Sequence, residues 1–233
     1  MNELALEVGG LAKRFRLHTQ GGVEIEVFRD LDLAVRAGEC VALHGPSGCG
    51  KSTLLRALYA NYAVDAGSIR VRHAKGWADM ARAEPRAILD VRRRTMGYVS
   101  QFLRVIPRVP ALEIVAEPLR QRGIAAEEAH SRAGAMLARL NVPERLWGLA
   151  PATFSGGEQQ RVNIARGFIA EMPILLLDEP TAALDAANRA VVADLILERK
   201  RAGTAIVGIF HDAEIRAQVC DRLFEIAPFK VAA

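Results

Sequence analysis

The chain has 233 residues, of which 51% are apolar and 25% are charged, and its net charge is +4. This length suffices for one large domain with a buried core, and so modest a charge argues against a nucleic-acid partner. No apolar run approaches the ~18 residues of a membrane-spanning helix, and the first residues lack the pattern of a secretory signal. We therefore expect a cytoplasmic protein without direct membrane insertion.

Short apolar runs alternate with helical patterns along the chain, which is typical of an α/β fold. In chain order, strands are predicted at Leu4–Val8, Glu24–Phe28, Leu31–Val35 and Cys40–His44, followed by a helix from Lys51 to about Asn61. Further strands are predicted at Ser68–Arg72, Gly97–Ser100, Ile174–Leu177 and Ala205–Phe210. The stretch between residues 102 and 152 contains five prolines, which predicts several short helices, and one amphipathic face: Ala133, Met136, Leu137 and Leu140. The pattern predicts a parallel-sheet core formed by both ends of the chain, with a helical lobe inserted in the middle.

A glycine-rich loop follows the apolar strand Cys40–His44 and leads into the first helix. Its sequence GPSGCGKS matches GxxxxGK[ST], a loop whose backbone N–H groups surround phosphates. Lys51 can neutralise the β and γ phosphates, while the Ser52 hydroxyl can bind Mg²⁺. A tight turn without a ligand is the alternative, which the flanking strand and helix disfavour. The predicted nucleotide contacts are Gly45, Pro46, Ser47, Gly48, Cys49, Gly50, Lys51, Ser52 and Thr53.

Two acids end the second apolar core strand, Ile174–Leu177. A carboxylate at a buried strand end is costly unless it has a partner, and a phosphate-binding loop supplies one through Mg²⁺. Asp178 is predicted to hold the metal, and Glu179 to position the water that attacks the γ-phosphate. A solvated strand end is the other interpretation of the pair.

The sequence FSGGE at residues 154–158 combines a helix cap with two glycines. Ser155 can cap the helix, and Gly156 and Gly157 leave backbone N–H groups free for a γ-phosphate. Together with the loop and the acids, this sequence resembles the signature of ATP-binding cassette (ABC) ATPases, usually written LSGGQ. Phe154 and Glu158 stand where that pattern has Leu and Gln. Both differences change side chains near the helix start and leave the backbone N–H groups that would bind the phosphate in place.

Other sequences resemble further cassette motifs, in the family's order. Gln101 resembles the Q-loop glutamine, which contacts Mg²⁺ and the attacking water. Residues 183–185 resemble the D-loop, and His211 resembles the switch histidine, which senses the γ-phosphate. Phe15 resembles the aromatic residue that stacks on the base, although His18 and Phe28 compete for this role. The resemblance thus assigns catalysis to Glu179, His211 and Gln101, metal binding to Ser52, Gln101 and Asp178, and nucleotide contacts also to Ser155, Gly156, Gly157 and Glu158.

This resemblance implies a single ABC nucleotide-binding domain over residues 1–233. Its fold is that of a P-loop NTPase, with a RecA-like parallel-sheet core, an antiparallel β subdomain and an inserted helical lobe at about 102–160. The implied cofactors are ATP and Mg²⁺. The implied partner is a second cassette, either an identical chain or a paralogue, so that each site joins the phosphate-binding loop of one chain to the signature of the other.

Several stretches outside these motifs resemble the L subunits of bacterial phosphonate carbon–phosphorus lyase systems: residues 58–62, 100–107, 140–147, 150–158 and 166–168. That resemblance implies a soluble lyase core complex as partner, and support for forming ribose 1-phosphonate 5-triphosphate from ATP and a phosphonate. The alternative is the ATP-binding subunit of a transporter of the lipoprotein-release or macrolide-export type. A small-molecule kinase is disfavoured by the signature and His211, and a repair ATPase by the lack of a long coiled coil. The residues from 102 to 106 are mostly apolar. They either pack in the core or form a surface on which a partner docks.

Overall fold

The computed structural model describes residues 3–17, 23–103 and 107–227. In these ranges the strands are β1 (Leu4–Leu17), β2 (Val23–Arg36), β3 (Cys40–His44), β4 (Ala66–His73), β5 (Gly76–Asp79), β6 (Met96–Val99), β7 (Ile174–Asp178), β8 (Ala205–Ile209) and β9 (Arg222–Glu225). The helices are α1 (Lys51–Leu58), α2 (Pro85–Arg94), α3 (Ala111–Arg120), α4 (Ala126–Arg139), α5 (Gly156–Phe168), α6 (Ala186–Arg201) and α7 (Ala213–Val219), with short 3₁₀ turns at Glu144–Leu146 and Pro151–Thr153. Among the described residues, no helix is both long and apolar enough to span a membrane.

The core sheet is parallel and has the strand order β6-β7-β8-β3-β9. Its three central strands, β7, β8 and β3, are apolar and buried over nearly their whole length, as expected of strands covered on both faces. Because neighbouring strands run in one direction, their carboxyl ends meet at one edge of the sheet. The phosphate-binding loop and the segments that carry Gln101, Glu179 and His211 leave from this edge. The predicted α/β class and the parallel-sheet core are confirmed.

The second sheet is antiparallel, with the order β2-β1-β4-β5. The sequence predicts two strands at Glu24–Phe28 and Leu31–Val35, whereas β2 runs through both of them. Asp30 lies between them with a φ of 50°, where the register against β1 shifts. The polar interruption therefore produces a bulge that bends the strand without ending it.

The helical lobe contains α3, α4 and the first turns of α5. The apolar stripe predicted near residues 133–140 is confirmed, since Ala133, Leu137 and Leu140 are fully buried and Met136 packs against the same cluster. The several short helices predicted for this stretch are found as α3, α4 and the two 3₁₀ turns, although Pro118 lies inside α3 and not between helices. The helix ends two residues later, so the missing N–H of Pro118 removes a hydrogen bond only from the last turn. Helix α5 contacts both α3 and β6 and thus joins the lobe to the core sheet.

Candidate nucleotide-binding site

The glycine-rich loop joins the buried strand β3 to helix α1, as its sequence predicts. Gly45, Gly48 and Gly50 all have positive φ, at 143°, 80° and 100°. A Cβ on Gly45 would lie 2.6 Å from the carbonyl oxygen of Ile226, and one on Gly50 would lie 2.4 Å from the Val27 side chain. A Cβ on Gly48 would meet nothing within 4 Å. Two glycines therefore let the loop pack on the domain, and the third faces open space in which phosphates would fit.

The side chain of Lys51 folds back over this loop. Its Nζ atom donates hydrogen bonds to the carbonyl oxygens of Gly45 at 2.8 Å and Pro46 at 2.9 Å. The ammonium group is thereby held over the loop, where phosphate oxygens would replace the two carbonyls as its partners. This geometry suits a charge-assisted contact to the β and γ phosphates.

The buried carboxylate of Asp178 connects the loop to β7. Its oxygens accept hydrogen bonds from Ser52 Oγ and Tyr98 OH, both at 3.0 Å. Asp178 is 1% exposed, and burial raises the pKa of its carboxyl above the ordinary value, although the bonds from Tyr98 and Ser52 act in the opposite direction. A desolvated carboxylate beside a serine hydroxyl is a suitable pair for a magnesium ion that also binds phosphate oxygens and water. In the described part of the chain, no group of three or more His, Cys, Asp or Glu side chains could hold a metal by itself.

The three residues predicted to be catalytic meet at one carboxylate. Glu179 accepts a hydrogen bond from Gln101 Nε2 at 3.0 Å, and its other oxygen lies 2.8 Å from His211 Nε2. The backbone of Glu179 has a φ of 53°, which is uncommon for a residue other than glycine and is a form of strain found at functional sites. Glu179 is largely buried, whereas His211 is exposed, so the carboxylate lies at the base of an opening that His211 borders. This arrangement can orient a water molecule and sense a phosphate group entering the opening.

Ser155 begins helix α5 with a complete capping box. Its Oγ accepts a hydrogen bond from the Glu158 N–H at 3.3 Å, and its own N–H donates to the Glu158 carboxylate at 2.8 Å. Gly156 has open space where a Cβ would be, and a Cβ on Gly157 would lie 3.2 Å from the Ala183 carbonyl of the predicted D-loop. The free N–H groups at this helix start are suited to an anion.

Helix α5 links this signature to the catalytic loops. Gln160 is buried and donates to the carbonyl oxygen of Pro180, next to Glu179, at 3.1 Å. Asn163 donates to the carbonyl oxygen of Ser100, next to Gln101, at 2.6 Å. The helix that carries the signature thus forms hydrogen bonds to both strand-end loops.

Phe15 lies on β1, partly exposed, with its ring edge-on to Tyr62 at a centroid distance of 5.5 Å. The competing residue Phe28 is 5% exposed and packs in the core, so it lacks a free face for a base. The third candidate, His18, lies outside the described residues. The geometry therefore favours Phe15, whose assignment as the base-stacking residue stays a prediction.

An ion pair that the sequence did not indicate connects the predicted D-loop to His211. Asp185 caps α6, and one turn later Arg189 Nη1 lies 2.6 Å from Asp212 Oδ2. Asp212 in turn caps α7 through hydrogen bonds from the N–H groups of residues 214 and 215. These bonds and Arg189 lower the pKa of the Asp212 carboxyl. The pair fixes the turn from which His211 projects.

We expect Arg189→Met to lower kcat for ATP hydrolysis by about threefold to tenfold with little change in KM, because His211 loses a fixed orientation while the phosphate-binding loop is untouched. Steady-state kinetics would measure this. Arg201→Met, at the far end of the same helix, is the matched control and should behave as the parent. An equal loss in both variants would contradict a specific role for the ion pair.

The fold and these contacts define a P-loop ATPase with a parallel-sheet core. A family model described as ABC transporter matches residues 28–182, and the chain therefore belongs to the ABC transporter family as an ATP-binding cassette. It is 39% identical to the lipoprotein-releasing system ATP-binding protein LolD of Ruegeria pomeroyi, over 100% of this chain and 99% of that protein. It is 35% identical to the macrolide export ATP-binding/permease protein MacB of Bradyrhizobium diazoefficiens, over 97% of this chain and 33% of that protein.

Among solved structures, the dimeric post-hydrolysis state of the ATP-binding cassette MJ0796 bound to ADP and Pi has a TM-score of 0.85 and 28% sequence identity, covering 96% of this chain and 94% of that one. This similarity confirms the predicted cassette fold. The relatives described here carry transporter names, so they support the predicted ABC ATPase and the transporter alternative better than the resemblance to phosphonate lyase subunits.

Proposed function

We propose that this chain hydrolyses MgATP at two composite sites formed with a second cassette, and that the movement drives a transporter of the lipoprotein-release or macrolide-export type. The observation that carries the hydrolytic part is the meeting of Gln101 and His211 on the Glu179 carboxylate, beside the Ser52–Asp178 pair. The transporter part is supported by near full-length relatives with lipoprotein-releasing names. Consumption of cellular ATP is compatible with the predicted cytoplasmic location.

In such a site, this chain's residues would divide the work between them. The loop N–H groups and Lys51 would bind the phosphates, and Ser52 with Asp178 would hold Mg²⁺, which would neutralise charge on the phosphates. Glu179 would orient the attacking water, and the signature of the second chain would contact the γ-phosphate. Pairing with a second cassette is supported by the dimeric structure of the similar cassette MJ0796.

A groove between the core sheet and the helical lobe is a suitable surface for the partner that hydrolysis would drive. We call it the lobe groove; its lining includes Tyr59, Arg92, Arg93, Tyr98, Glu117, Gln121, Asn163 and Arg166. Asn163 connects it to the Q-loop through its hydrogen bond to Ser100. At the other end of that loop, Phe102 is 75% exposed, whereas Leu103 is buried in the core. Phe102 is thus available for docking, while residues 104–106 of the same predicted surface lie outside the described residues.

A second candidate function, support of phosphonate breakdown by a soluble lyase complex, is favoured by one observation. Two of the stretches that resemble phosphonate lyase subunits line the lobe groove, through Tyr59 and Arg166. A third is connected to it, because the Ser100 carbonyl accepts a hydrogen bond from the groove residue Asn163. The rings of Tyr59 and Tyr98 pack with a centroid distance of 5.1 Å. Arg166 Nη2 forms an ion pair with Glu117 Oε2 at 2.7 Å. Two of the five distinctive stretches therefore line the surface suited to a partner. The ATP site itself is compatible with either kind of partner.

Deletion of the gene distinguishes the two candidates. For a transporter subunit, we expect cells to grow normally with a phosphonate as the only phosphorus source, and the purified chain to bring a membrane permease with it. For a lyase subunit, growth on phosphonate should fail while growth on phosphate and uptake of the phosphonate continue. A plasmid copy carrying Glu179→Gln is the matched control, since it should not restore whichever function is lost.

A further inference from the structure

The carboxylate of Glu158 stands where the resemblance places an amide. Its Oε2 atom accepts two hydrogen bonds, from the N–H and from the hydroxyl of Ser155, each at 2.8 Å. The hydroxyl has only one proton, and in this structure that proton is directed to Glu158. Ser155 is exposed at the start of α5, where the first N–H groups of a helix have no partner within the helix.

A γ-phosphate that docks on this helix needs the same proton. The oxygens of a phosphate accept hydrogen bonds, so the Ser155 hydroxyl would have to turn from the carboxylate to the phosphate. An ionised carboxylate next to the docking position also repels the phosphate charge. A glutamine in its place could still accept the Ser155 N–H, would carry no charge and could donate from its amide.

The groups around Glu158 keep its carboxyl ionised near neutral pH, so that it can compete with a phosphate for the Ser155 hydroxyl. The hydrogen bonds from the Ser155 side chain and backbone lower the pKa of the Glu158 carboxyl, and Arg161 and Arg145 act in the same direction at longer range. The carboxylate is therefore ionised in the range where ATP carries its full phosphate charge. The two arginines offset part of the negative potential and leave the hydroxyl contact itself in place.

We propose that Glu158 is a positioning residue that competes with the γ-phosphate for the Ser155 hydroxyl and so raises the ATP concentration needed to pair two cassettes. The inference rests on the proposed pairing, in which the signature of one chain meets the nucleotide of the other. In this proposal Glu158 caps its own helix and also weakens the ATP-driven association of two cassettes. Because each chain contributes one signature, the effect applies at both sites of a dimer.

The test measures ATP-driven association by light scattering in a Glu179→Gln background, in which hydrolysis does not reverse the pairing. Adding Glu158→Gln should lower the MgATP concentration at half-maximal association by about twofold to fivefold, the range expected for one exposed charge at a helix start. The difference should shrink in high salt, because screening weakens the repulsion. An unchanged or higher concentration would overturn the proposal.

Two further variants separate competition from other causes. Glu127→Gln neutralises an exposed acid in the first turn of α4 and should leave association unchanged. Glu158→Ala should shift association in the same direction as Glu158→Gln, whereas a gain with glutamine alone would assign the effect to the new amide and overturn the competition. If no variant associates with ATP, the proposed pairing itself fails; if all associate equally, only the role of Glu158 fails.

Discussion

Replacement of Glu179 by glutamine is expected to lower the rate of ATP hydrolysis by about 10²–10⁴, the loss typical when a group that positions or activates water is removed. The substitution preserves the shape of the side chain and its contact with Gln101. It removes the charged oxygen that lies 2.8 Å from His211 Nε2. Nucleotide binding depends on the phosphate-binding loop and should continue, so the defect should fall on kcat.

The same variant should accumulate as a nucleotide-bound pair of chains. Size-exclusion chromatography with MgATP would detect the dimer, and single-turnover kinetics would give the rate. Glu144→Gln, which neutralises an exposed acid in the helical lobe, is the control and should retain parental turnover. Parental hydrolysis by Glu179→Gln, or no association with itself or a cognate cassette, would contradict the proposed role.

Lys51→Ala is expected to weaken MgATP binding by about tenfold to a hundredfold, since a hydrogen bond to a charged group contributes about 1.5–3 kcal/mol. The loop carbonyls of Gly45 and Pro46 would lose the ammonium that now bridges them. Titration with a fluorescent ATP analogue would measure the affinity. Lys75→Ala, in the turn between β4 and β5, serves as the control; equal affinity in the parent and both variants would reject the loop as the phosphate site.

Mixing Lys51→Ala with a Ser155→Arg chain tests whether a site is shared between two chains. In a heterodimer, one site has both defects, and the other combines an intact loop with an intact signature. ATPase activity of the mixture should therefore exceed that of either variant alone. No recovery over a range of mixing ratios, with heterodimers demonstrated, would argue against action of the signature across the interface.

Residues whose chemistry depends on their immediate neighbours in sequence were the most predictable part of this site. The loop at residues 45–52 needs a preceding strand, a following helix and glycines at fixed positions, and all of these are visible in one short segment. The helix cap at Ser155 was predicted for the same reason, and the capping box that it forms with Glu158 lies within four residues. Strand β9 was not predicted, because its four residues are held by pairing with the distant strand β3. Strand β5 and helix α2 were also not predicted; β5 is only four residues long, and α2 has a single fully buried residue.

Contacts between distant segments could not be predicted in this way. Tyr98 donates to Asp178, 80 residues away, and Arg189 pairs with Asp212 across 23 residues. No spacing in the sequence distinguishes these partners from other tyrosines and arginines. Tyr98 meets Asp178 because β6 and β7 are neighbours in the core sheet, and Arg189 meets Asp212 because α6 packs against α7.

The sequence by itself determined the class of fold and the chemical groups of the site, because apolar periodicity and short motifs act over a few residues. The tertiary structure decided how those groups combine: Gln101, Glu179 and His211 come from three strand ends and meet only when β6, β7 and β8 pair in parallel. It also decided which candidates were exposed, burying Phe28 and Leu103 and leaving Phe15 and Phe102 accessible. Burial depends on every segment that packs against a residue, and a linear pattern does not contain that information.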